Sequence, residues 1–438
     1  MTITFQNMDK SATLLCMNYQ QLFFNLATIL RPYTKLWQRE VLQAWRTGEI
    51  DELYPEEFLT PLKKLTHEEL YEMDCLRDYS KLEDGPLKTL LCSLRENEVY
   101  ETVDEELIRG VDELPSWAFN KVKGKKQDEI LIIANFLKKL RNKEGDFKHT
   151  VDIGGGVGHL SRTLAHYFGM EMISLDINSE FQEIGKNRLK KYPRPDLAKD
   201  VNFINHDFSI DLDGDENARI FCNDSFSLGL HTCGSLAVKH MQVASRNQTR
   251  GLLNFGCCYN KLEPSKHINI SNYAKEIGPL ELESNSLTLA TRGHQSMSLE
   301  EFEQKKKVKN YRYCLQIYID SVLGSDIDVI SIGDAHKRLY AKSFSEYAIS
   351  KLTENNIPIN LTAQQLDELY AKNQELLEKL FFANIVRWQF GRALELYLLY
   401  DRAIMLQERG KEAKLMAFFN EVESPRNIGI WYHERKQS

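Results

Sequence analysis

A strand, a glycine-rich turn and a helix follow one another near the middle of the chain, and this order constrains the fold most. The short segment over residues 149–153 predicts a strand, and four glycines lie in the turn over 154–158. Apolar residues then recur at helical spacing, namely Leu160, Leu164 and Phe168. Because glycine has no Cβ, such a turn lets the backbone approach a ligand closely. The order therefore predicts a nucleotide-type binding site.

The spacing of the glycines indicates which ligand to expect. A dinucleotide fingerprint needs G-x-G-x-x-G, but His159 stands at the third glycine position. An acidic residue followed by glycines at every second position instead matches the D-x-G-x-G-x-G loop of S-adenosylmethionine-dependent methyltransferases. We therefore expect S-adenosylmethionine to be bound by Asp152, Gly154, Gly155, Gly156 and Gly158.

The ends of the next two predicted strands carry further candidate cofactor ligands. Asp176 ends an apolar run, where its carboxylate can accept both ribose hydroxyls. The alternative is that Asp176 caps the following helix together with Asn178 and Ser179. After the third strand, Asp207 can accept from the adenine amino group and Phe208 can lie against the ring. The alternative there is an aspartate that simply ends a strand.

Bulk properties narrow the class of protein. The 438 residues predict two or three domains, and a net charge of -7 argues against a global basic field. Eight scattered cysteines favour a reducing compartment over a secreted disulfide framework. The N-terminal residues do not resemble a signal peptide, and no apolar run approaches membrane-spanning length. We expect a cytoplasmic or nuclear protein without a membrane partner.

The alternation of strand and helix predicts an α/β fold with a parallel sheet. Strands are predicted at His149–Ile153, Glu171–Leu175, Val201–Asn205, Ser225–Leu230, Gly251–Gly256, Leu415–Phe419 and Ile428–Tyr432. The last two are closely linked and must pair antiparallel. This arrangement is the Rossmann-like class I methyltransferase sheet, in which parallel strands are closed by a C-terminal antiparallel hairpin.

Helical patterns flank that sheet on both sides in sequence. Before it, the chain lacks strand alternation, and a charged linker is expected over residues 141–146. After it, Phe381 to Leu398 predict one long amphipathic helix, and the lysines at 305–307 and 309 predict a solvated helix face. The predicted division is a helical N-terminal region (1–110), a methyltransferase core (111–300), a helical insertion (301–378), and the last core helix with the closing hairpin (379–438).

Residues after the fourth and fifth predicted strands should line the methyl-acceptor pocket, because ligands bind outside the carboxyl ends of parallel strands. The candidate catalytic residues are His231, Cys233, Cys257, Cys258 and Tyr259.

Three interpretations of this set stay open beside simple packing. His231 could be a general base or could orient the acceptor. The cysteines could attack a pyrimidine covalently, as in RNA 5-methylcytosine enzymes, although Thr232 stands where those enzymes carry proline. His231 and the cysteines could bind zinc, but their spacing is not C-x2-C and adjacent cysteines chelate poorly, so no metal is expected.

The remaining motifs leave the acceptor open. The Asn/Asp-Pro-Pro-Tyr signature of amino-group methyltransferases is missing after strand four. For a ribose 2′-O-methyltransferase, Lys126, Lys261 and either Glu421 or Glu423 could supply three of four residues, with His231 in place of the aspartate.

Several blocks of this chain resemble the methyltransferase-like protein 25 family. They run in family order from about residue 115 to the end, and comprise Asp152–Ser161, Gly229–Ala237, Gly256–Tyr259, Tyr311–Leu315, Lys342–Tyr347, Leu399–Arg402 and Ser424–Ile428. The resemblance implies a methyltransferase fold and S-adenosylmethionine as cofactor, with no firm substrate.

A similar His-x-Cys-Gly and Cys-Cys pairing occurs in a tRNA 2′-O-ribose methyltransferase family. We therefore expect RNA, such as tRNA or rRNA, as the acceptor, supported by the lysines at 123, 125 and 126. A protein substrate is one alternative. A non-catalytic scaffold that keeps the cofactor is another, because a standard catalytic signature is missing.

Overall fold

The computed structural model describes residues 18–110, 114–145, 147–208, 214–324, 329–330 and 332–434. Eight strands in these ranges form one sheet. In chain order they are β1 (Glu101–Thr102), β2 (His149–Ile153), β3 (Met172–Asp176), β4 (Val201–Asn205), β5 (Ser225–Cys233), β6 (Gly251–Cys257), β7 (Lys414–Ala417) and β8 (Ile428–His433). Across the sheet their order is β4-β3-β2-β5-β6-β8-β7-β1.

The pairing of these strands confirms the predicted fold. Strands β4, β3, β2, β5 and β6 are mutually parallel, and β8 lies antiparallel between β6 and β7. Every residue of β2 and β6 is buried, because helices cover both faces of the sheet. Strand β1 was not predicted from the sequence, and its two residues pair parallel with β7 at the sheet edge.

The helices fall into three groups along the chain. Before the core lie α1 (Tyr19–Leu30), α2 (Thr34–Gln38), α3 (Val41–Arg46), α4 (Ile50–Leu53), α5 (Glu56–Lys63), α6 (His67–Tyr71), α7 (Pro86–Glu96) and α8 (Glu105–Ile108). Within it lie α9 (Gly124–Glu144), α10 (His159–Phe168), α11 (Ser179–Lys191), α12 (Gly214–Ile220) and α13 (Ser235–Arg246). After β6 follow α14 (Pro264–His267), α15 (Asn272–Glu276), α16 (Ser284–Arg292), α17 (Leu299–Leu323), α18 (Lys337–Tyr340), α19 (Phe344–Glu354), α20 (Ala363–Lys372), α21 (Gln374–Trp388) and α22 (Phe390–Glu408). None of the helices in the described ranges is both long and apolar enough to cross a membrane.

Two hydrophobic cores hold the main layers together. One face of the sheet packs on α9 and α10, with residues such as Ile133 and Leu164 completely buried. The other face packs on α13 and α22, and this core extends without a break into the helices before β1 and those after β6. The N-terminal helices and the predicted insertion therefore share one apolar interior, although they are far apart in sequence.

Three local predictions were wrong. The expected linker after residue 140 continues α9 as far as Glu144. The single amphipathic helix is two helices that meet at Gln389, and α22 is buried along nearly its whole length, so it is a core helix. The lysine-rich segment of α17 is half-buried rather than solvated: Lys305 Nζ lies 3.4 Å from the Trp388 ring centroid and 3.3 Å from Asp74 Oδ2.

A buried polar network fixes the pairing of the two central strands β5 and β6. His240 of α13 lies 2.5 Å from Ser227 Oγ on β5 and 2.7 Å from the Asn254 amide on β6. Asn254 also donates to Thr232 Oγ1 at 2.9 Å. Gly229 completes the fit, since a Cβ there would lie 2.8 Å from His240 Nδ1. Each buried polar group thus has a partner, which favours one register of the strands.

This network predicts an acid-sensitive fold. Burial lowers the pKa of His240 from 6.5 to about 3. Between these values the unfolded chain binds more protons than the folded chain, so the free energy of unfolding falls as the pH falls. From pH 7 to pH 5 we expect His240 to account for a loss of about 2 kcal/mol.

Urea unfolding at pH 5, 6 and 7 measures this loss. His240→Gln should show a shallower pH dependence than the wild type, and the exposed control His336→Gln should show the wild-type slope. Equal slopes for His240→Gln and the wild type would contradict the assignment.

Candidate active site

The glycine turn between β2 and α10 has an open side and a packed side. Gly154, Gly156 and Gly158 adopt φ angles of +70°, +57° and +68°, which disfavour other residues. A Cβ on Gly158 would lie 2.8 Å from the Phe203 ring, whereas a Cβ on Gly156 would meet no atom within 4 Å. The turn therefore packs on the sheet through Gly158 and presents free space at Gly156.

Asp176 lies beside this open space at the end of β3. Its Oδ2 accepts from the Gly156 amide at 2.8 Å, and its Oδ1 accepts from the Asn178 amide at 2.8 Å. Asn178 is the residue that caps α11, through the Phe181 amide. Both carboxylate oxygens keep further acceptor capacity, so Asp176 can support the turn and also accept ribose hydroxyls.

Asp152 is placed differently from the other predicted cofactor ligands. It is buried under the turn, and its Oδ2 accepts from Ser161 Oγ at 2.6 Å. Burial raises its pKa to about 6, against the opposing effects of Ser161 and Lys126. The structure therefore gives Asp152 an inward contact that anchors α10 to β2. Gly155 packs likewise, since its Cβ would overlap Ser174 Oγ.

The predicted adenine ligands follow β4. Asp207 is half-buried there. Phe208 is 7% exposed, and its ring centroid lies 5.9 Å from that of Phe221, within a core cluster that contains Val151 and Ile153. The Phe208 ring is therefore packed into this core cluster, and little of its surface is accessible to a ligand.

These contacts fit S-adenosylmethionine. The open space at Gly156 and the acceptor capacity of Asp176 lie together at the carboxyl end of β2 and β3, where such sheets bind ligands. Gly154, Gly156 and Asp176 are the residues that would hold the cofactor, with Asp207 at the next strand end.

His231 lies in a β-bulge near the end of β5. The pairing with β6 shifts between Leu230 and Thr232, so no residue of β6 is paired with His231. The φ angle of His231 is +61°. A left-handed residue of this kind is uncommon outside glycine and bends the strand locally. The bulge directs the imidazole away from the ladder, and Nε2 lies 2.8 Å from Glu129 Oε2.

Glu129 of α9 links His231 to the closing hairpin. Its side chain is 4% exposed, and its second oxygen accepts from Ser424 Oγ at 2.9 Å. Burial favours the neutral acid, but the hydrogen bonds from His231 and Ser424 outweigh it and lower the pKa of Glu129 below its usual value. The result is a buried carboxylate that can orient an imidazole and balance its positive charge.

The three predicted cysteines come together beside this histidine. Cys233 Sγ lies 3.3 Å from Cys257 Sγ and 3.4 Å from Cys258 Sγ. A hydrogen bond from Cys257, with the nearby charges of Lys261 and Arg426, lowers the pKa of Cys233 to about 5. The same bond, together with burial, raises the pKa of Cys257.

Tyr259 is the candidate catalytic residue whose side chain packs in the helical core. It is 3% exposed and belongs to the helical core, and the Arg402 guanidinium lies 5.7 Å from its ring centroid. Burial raises the pKa of its phenol well above 10. The structure thus brings the three cysteines together near the bulge that contains His231, and it buries Tyr259 against Arg402 of α22.

Two residues of the site were missed from the sequence, Glu129 and Ser424. Glu129 lies four residues before Ile133 and seven before Phe136, so it shares the apolar face of α9. A carboxylate on an apolar helix face is unusual, because buried acidic side chains need a partner. The sequence alone could therefore have indicated that Glu129 is a candidate site residue. Ser424 carries no comparable signal, because its role depends on where the hairpin link packs.

Comparison with known proteins identifies the domain. Residues 125–265, about a third of the chain, match a family model described as a methyltransferase domain. The segment begins at α9 and includes the glycine turn, His231 and all three cysteines of the site.

Solved structures of methyltransferases are also similar. One is magnesium protoporphyrin IX methyltransferase from Synechocystis with bound SAH, at 16% identity, 34% coverage of this chain, 62% of that chain and a TM-score of 0.24. Another is coclaurine N-methyltransferase bound to N-methylheliamine and SAH, at 13% identity, 94% coverage of this chain, 100% of that chain and a TM-score of 0.24. Scores this low support no argument about function. The family match and the observed sheet order show that the chain contains a methyltransferase domain, a kind of domain that uses S-adenosylmethionine.

Proposed function

We propose that this protein transfers a methyl group from S-adenosylmethionine to a hydroxyl or amino group of RNA, and that His231 takes the acceptor's proton. The observation that carries the proposal is the hydrogen bond between His231 and Glu129 at the bulge of β5. Residues with a strained backbone cluster at active sites. A buried hydrogen-bond partner then fixes the orientation of the strained residue's side chain.

The geometry links this pair to the cofactor turn. Glu129 and Lys126 lie three residues apart on α9, hence on one helix face. The positive charge of Lys126 acts to lower the pKa of Asp152, which lies under the turn. Glu129 contacts His231. On the opposite side, the Cβ position of Gly154 lies 3.2 Å from Leu236 at the start of α13. The proton-accepting group and the methyl donor would thus lie at neighbouring strand ends.

The bound cofactor supplies an electrophilic methyl group on a positively charged sulfur. Held at Gly156 and Asp176, the cofactor would supply this methyl group to an acceptor oxygen or nitrogen and would leave with the electrons of the carbon–sulfur bond. The acceptor's proton moves to His231, and Glu129 stabilises the imidazolium that forms. Ser424 holds Glu129 in place through its second oxygen.

An anionic acceptor is supported by the charges around the strand ends. Four cations act on the site's titratable groups, namely Lys125, Lys126, Lys261 and Arg426. A local cluster of this kind can bind phosphates although the net charge of the chain is -7. Lys126 and Lys261 are also the two lysines expected for ribose 2′-O-methylation. The acidic residue that contacts His231 is Glu129, which is not one of the two glutamates expected for the ribose set, Glu421 and Glu423.

The first prediction concerns cofactor binding. Asp176→Ala should weaken S-adenosylmethionine binding roughly 10- to 100-fold, because a charge-assisted hydrogen bond to the ribose is lost. Calorimetry with S-adenosylmethionine and its demethylated product measures the change, and thermal unfolding checks that the turn persists. The control Asp196→Ala, at an exposed site, should bind as the wild type does. Unchanged binding by folded Asp176→Ala would refute the assignment.

The second prediction concerns proton transfer. His231→Asn keeps a residue that tolerates the left-handed backbone but cannot take a proton near neutral pH. We expect the rate of methyl transfer to fall about 10²- to 10⁴-fold with cofactor binding unchanged. Glu129→Gln should lower the rate in the same direction.

Glu423→Gln is the matched control for this prediction. Glu423 is an exposed neighbour of Ser424, and the variant should keep the wild-type rate. A large rate loss in Glu423→Gln and none in His231→Asn would favour the original ribose set over the histidine.

The third prediction separates RNA from its rivals. Radiolabelled methyl groups should pass to extract from cells that lack the protein, and the label should be sensitive to RNase. Protease-sensitive label would instead identify a protein substrate. No transfer by protein that binds the cofactor would identify a non-catalytic scaffold.

A further inference from the structure

The three cysteines beside His231 form a compact cluster of sulfur atoms. Their Sγ atoms all lie within 4.8 Å of one another. The seven cysteines in the described ranges are free thiols, and in those ranges this trio is the only group of three or more potential metal-ligating side chains that lies so close. Thiolates at such separations are the ligands that zinc prefers.

The backbone explains how adjacent cysteines can point to one ion. Successive side chains of a strand point to opposite faces, so Cys257 and Cys258 would diverge if β6 continued. The strand ends at Cys257, and Cys258 adopts φ +50° and ψ +52°. This left-handed turn brings its side chain back toward Cys233. The structure thus removes the objection that adjacent cysteines chelate poorly.

The third ligand comes from the neighbouring strand. Cys233 and Cys257 are paired residues at the parallel ends of β5 and β6, so their side chains leave the sheet on the same face. The Gly234 amide donates to the Cys257 carbonyl at 2.9 Å and ties these ends together. A Cβ on Gly234 would lie 2.7 Å from the Lys261 carbonyl oxygen, so the loop after β6 closes tightly over this corner.

The separations suit zinc after a small adjustment. Zinc–sulfur bonds of about 2.3 Å in a tetrahedron place the sulfur atoms roughly 3.8 Å apart. The separations of Cys233 Sγ from Cys257 Sγ and from Cys258 Sγ, 3.3 and 3.4 Å, need to open by only a few tenths of an ångström. Lys261 and Arg426 face Cys233, and they would offset the net negative charge of three thiolates around one Zn²⁺.

We propose that Cys233, Cys257 and Cys258 bind one Zn²⁺ ion through their sulfur atoms and leave its fourth position open. Binding releases the thiol protons to solvent and changes no oxidation state. Three protein ligands with an open position are the arrangement of zinc sites that bind a water or a substrate atom. This inference does not depend on methyl transfer, because it is measured as metal binding.

Metal analysis of the purified full-length protein tests the proposal. After dialysis against zinc and then metal-free buffer, we expect about one equivalent of zinc in the wild type. Titration against a chromogenic zinc chelator should show at least a 100-fold loss of affinity in Cys233→Ser and in the double variant Cys257→Ser/Cys258→Ser. Cys92→Ser is the matched control, since Cys92 is a half-buried cysteine of α7, and it should keep the metal. Zinc retained by Cys233→Ser would overturn the proposal.

A second measurement avoids substitution, in case the serine variants do not fold. Cobalt added to the wild-type protein should give thiolate-to-cobalt charge-transfer absorption. Zinc should slow alkylation of Cys233, Cys257 and Cys258 by iodoacetamide and leave Cys92 unaffected. No cobalt spectrum, or a disulfide between Cys233 and Cys257 in protein purified without oxidant, would contradict a zinc site. Calorimetry with S-adenosylmethionine on the same samples shows whether cofactor binding is independent of the metal.

Discussion

The register between β5 and β6 is the constraint on which the acceptor side of this protein depends. His240, Ser227, Asn254 and Thr232 satisfy one another's polar groups inside the sheet, and a shift by one residue would leave several of them buried without partners. That pairing places the bulge at His231 and the paired ends at Cys233 and Cys257. The histidine, the cysteines and the turn after β6 are thus positioned by a network that contains none of them.

The sheet could be predicted closely because strand-like and helix-like segments alternate along this part of the chain. His149–Ile153 and Val201–Asn205 were predicted to the residue, and the hairpin strands to within two residues at either end. The cofactor turn could also be predicted, because its glycines have local causes. Gly158 leaves no room for a side chain against Phe203, and Gly156 borders the open space for a ligand. In contrast, β1 is only two residues long, and it can be recognised as a strand only by its pairing with β7.

The acceptor side was harder to read because its contacts are tertiary. Glu129 precedes His231 by about a hundred residues and Ser424 follows it by nearly two hundred, so no local pattern joins them. The turn at Cys258 depends on its backbone, which residue type alone does not specify. Likewise, α22 was expected to be amphipathic, whereas helices from both ends of the chain bury it on all sides.

The contact between Ser424 and Glu129 has a consequence for the order in which the protein can assemble. Ser424 lies in the link between β7 and β8, and β8 inserts between β6 and β7. During synthesis, the glycine turn and β2 to β6 emerge long before this hairpin does. The nascent chain can therefore form its cofactor turn while Glu129 still lacks its serine partner and β6 has an open edge. The hairpin follows these elements in the chain and completes both, so the acceptor side matures after the cofactor turn.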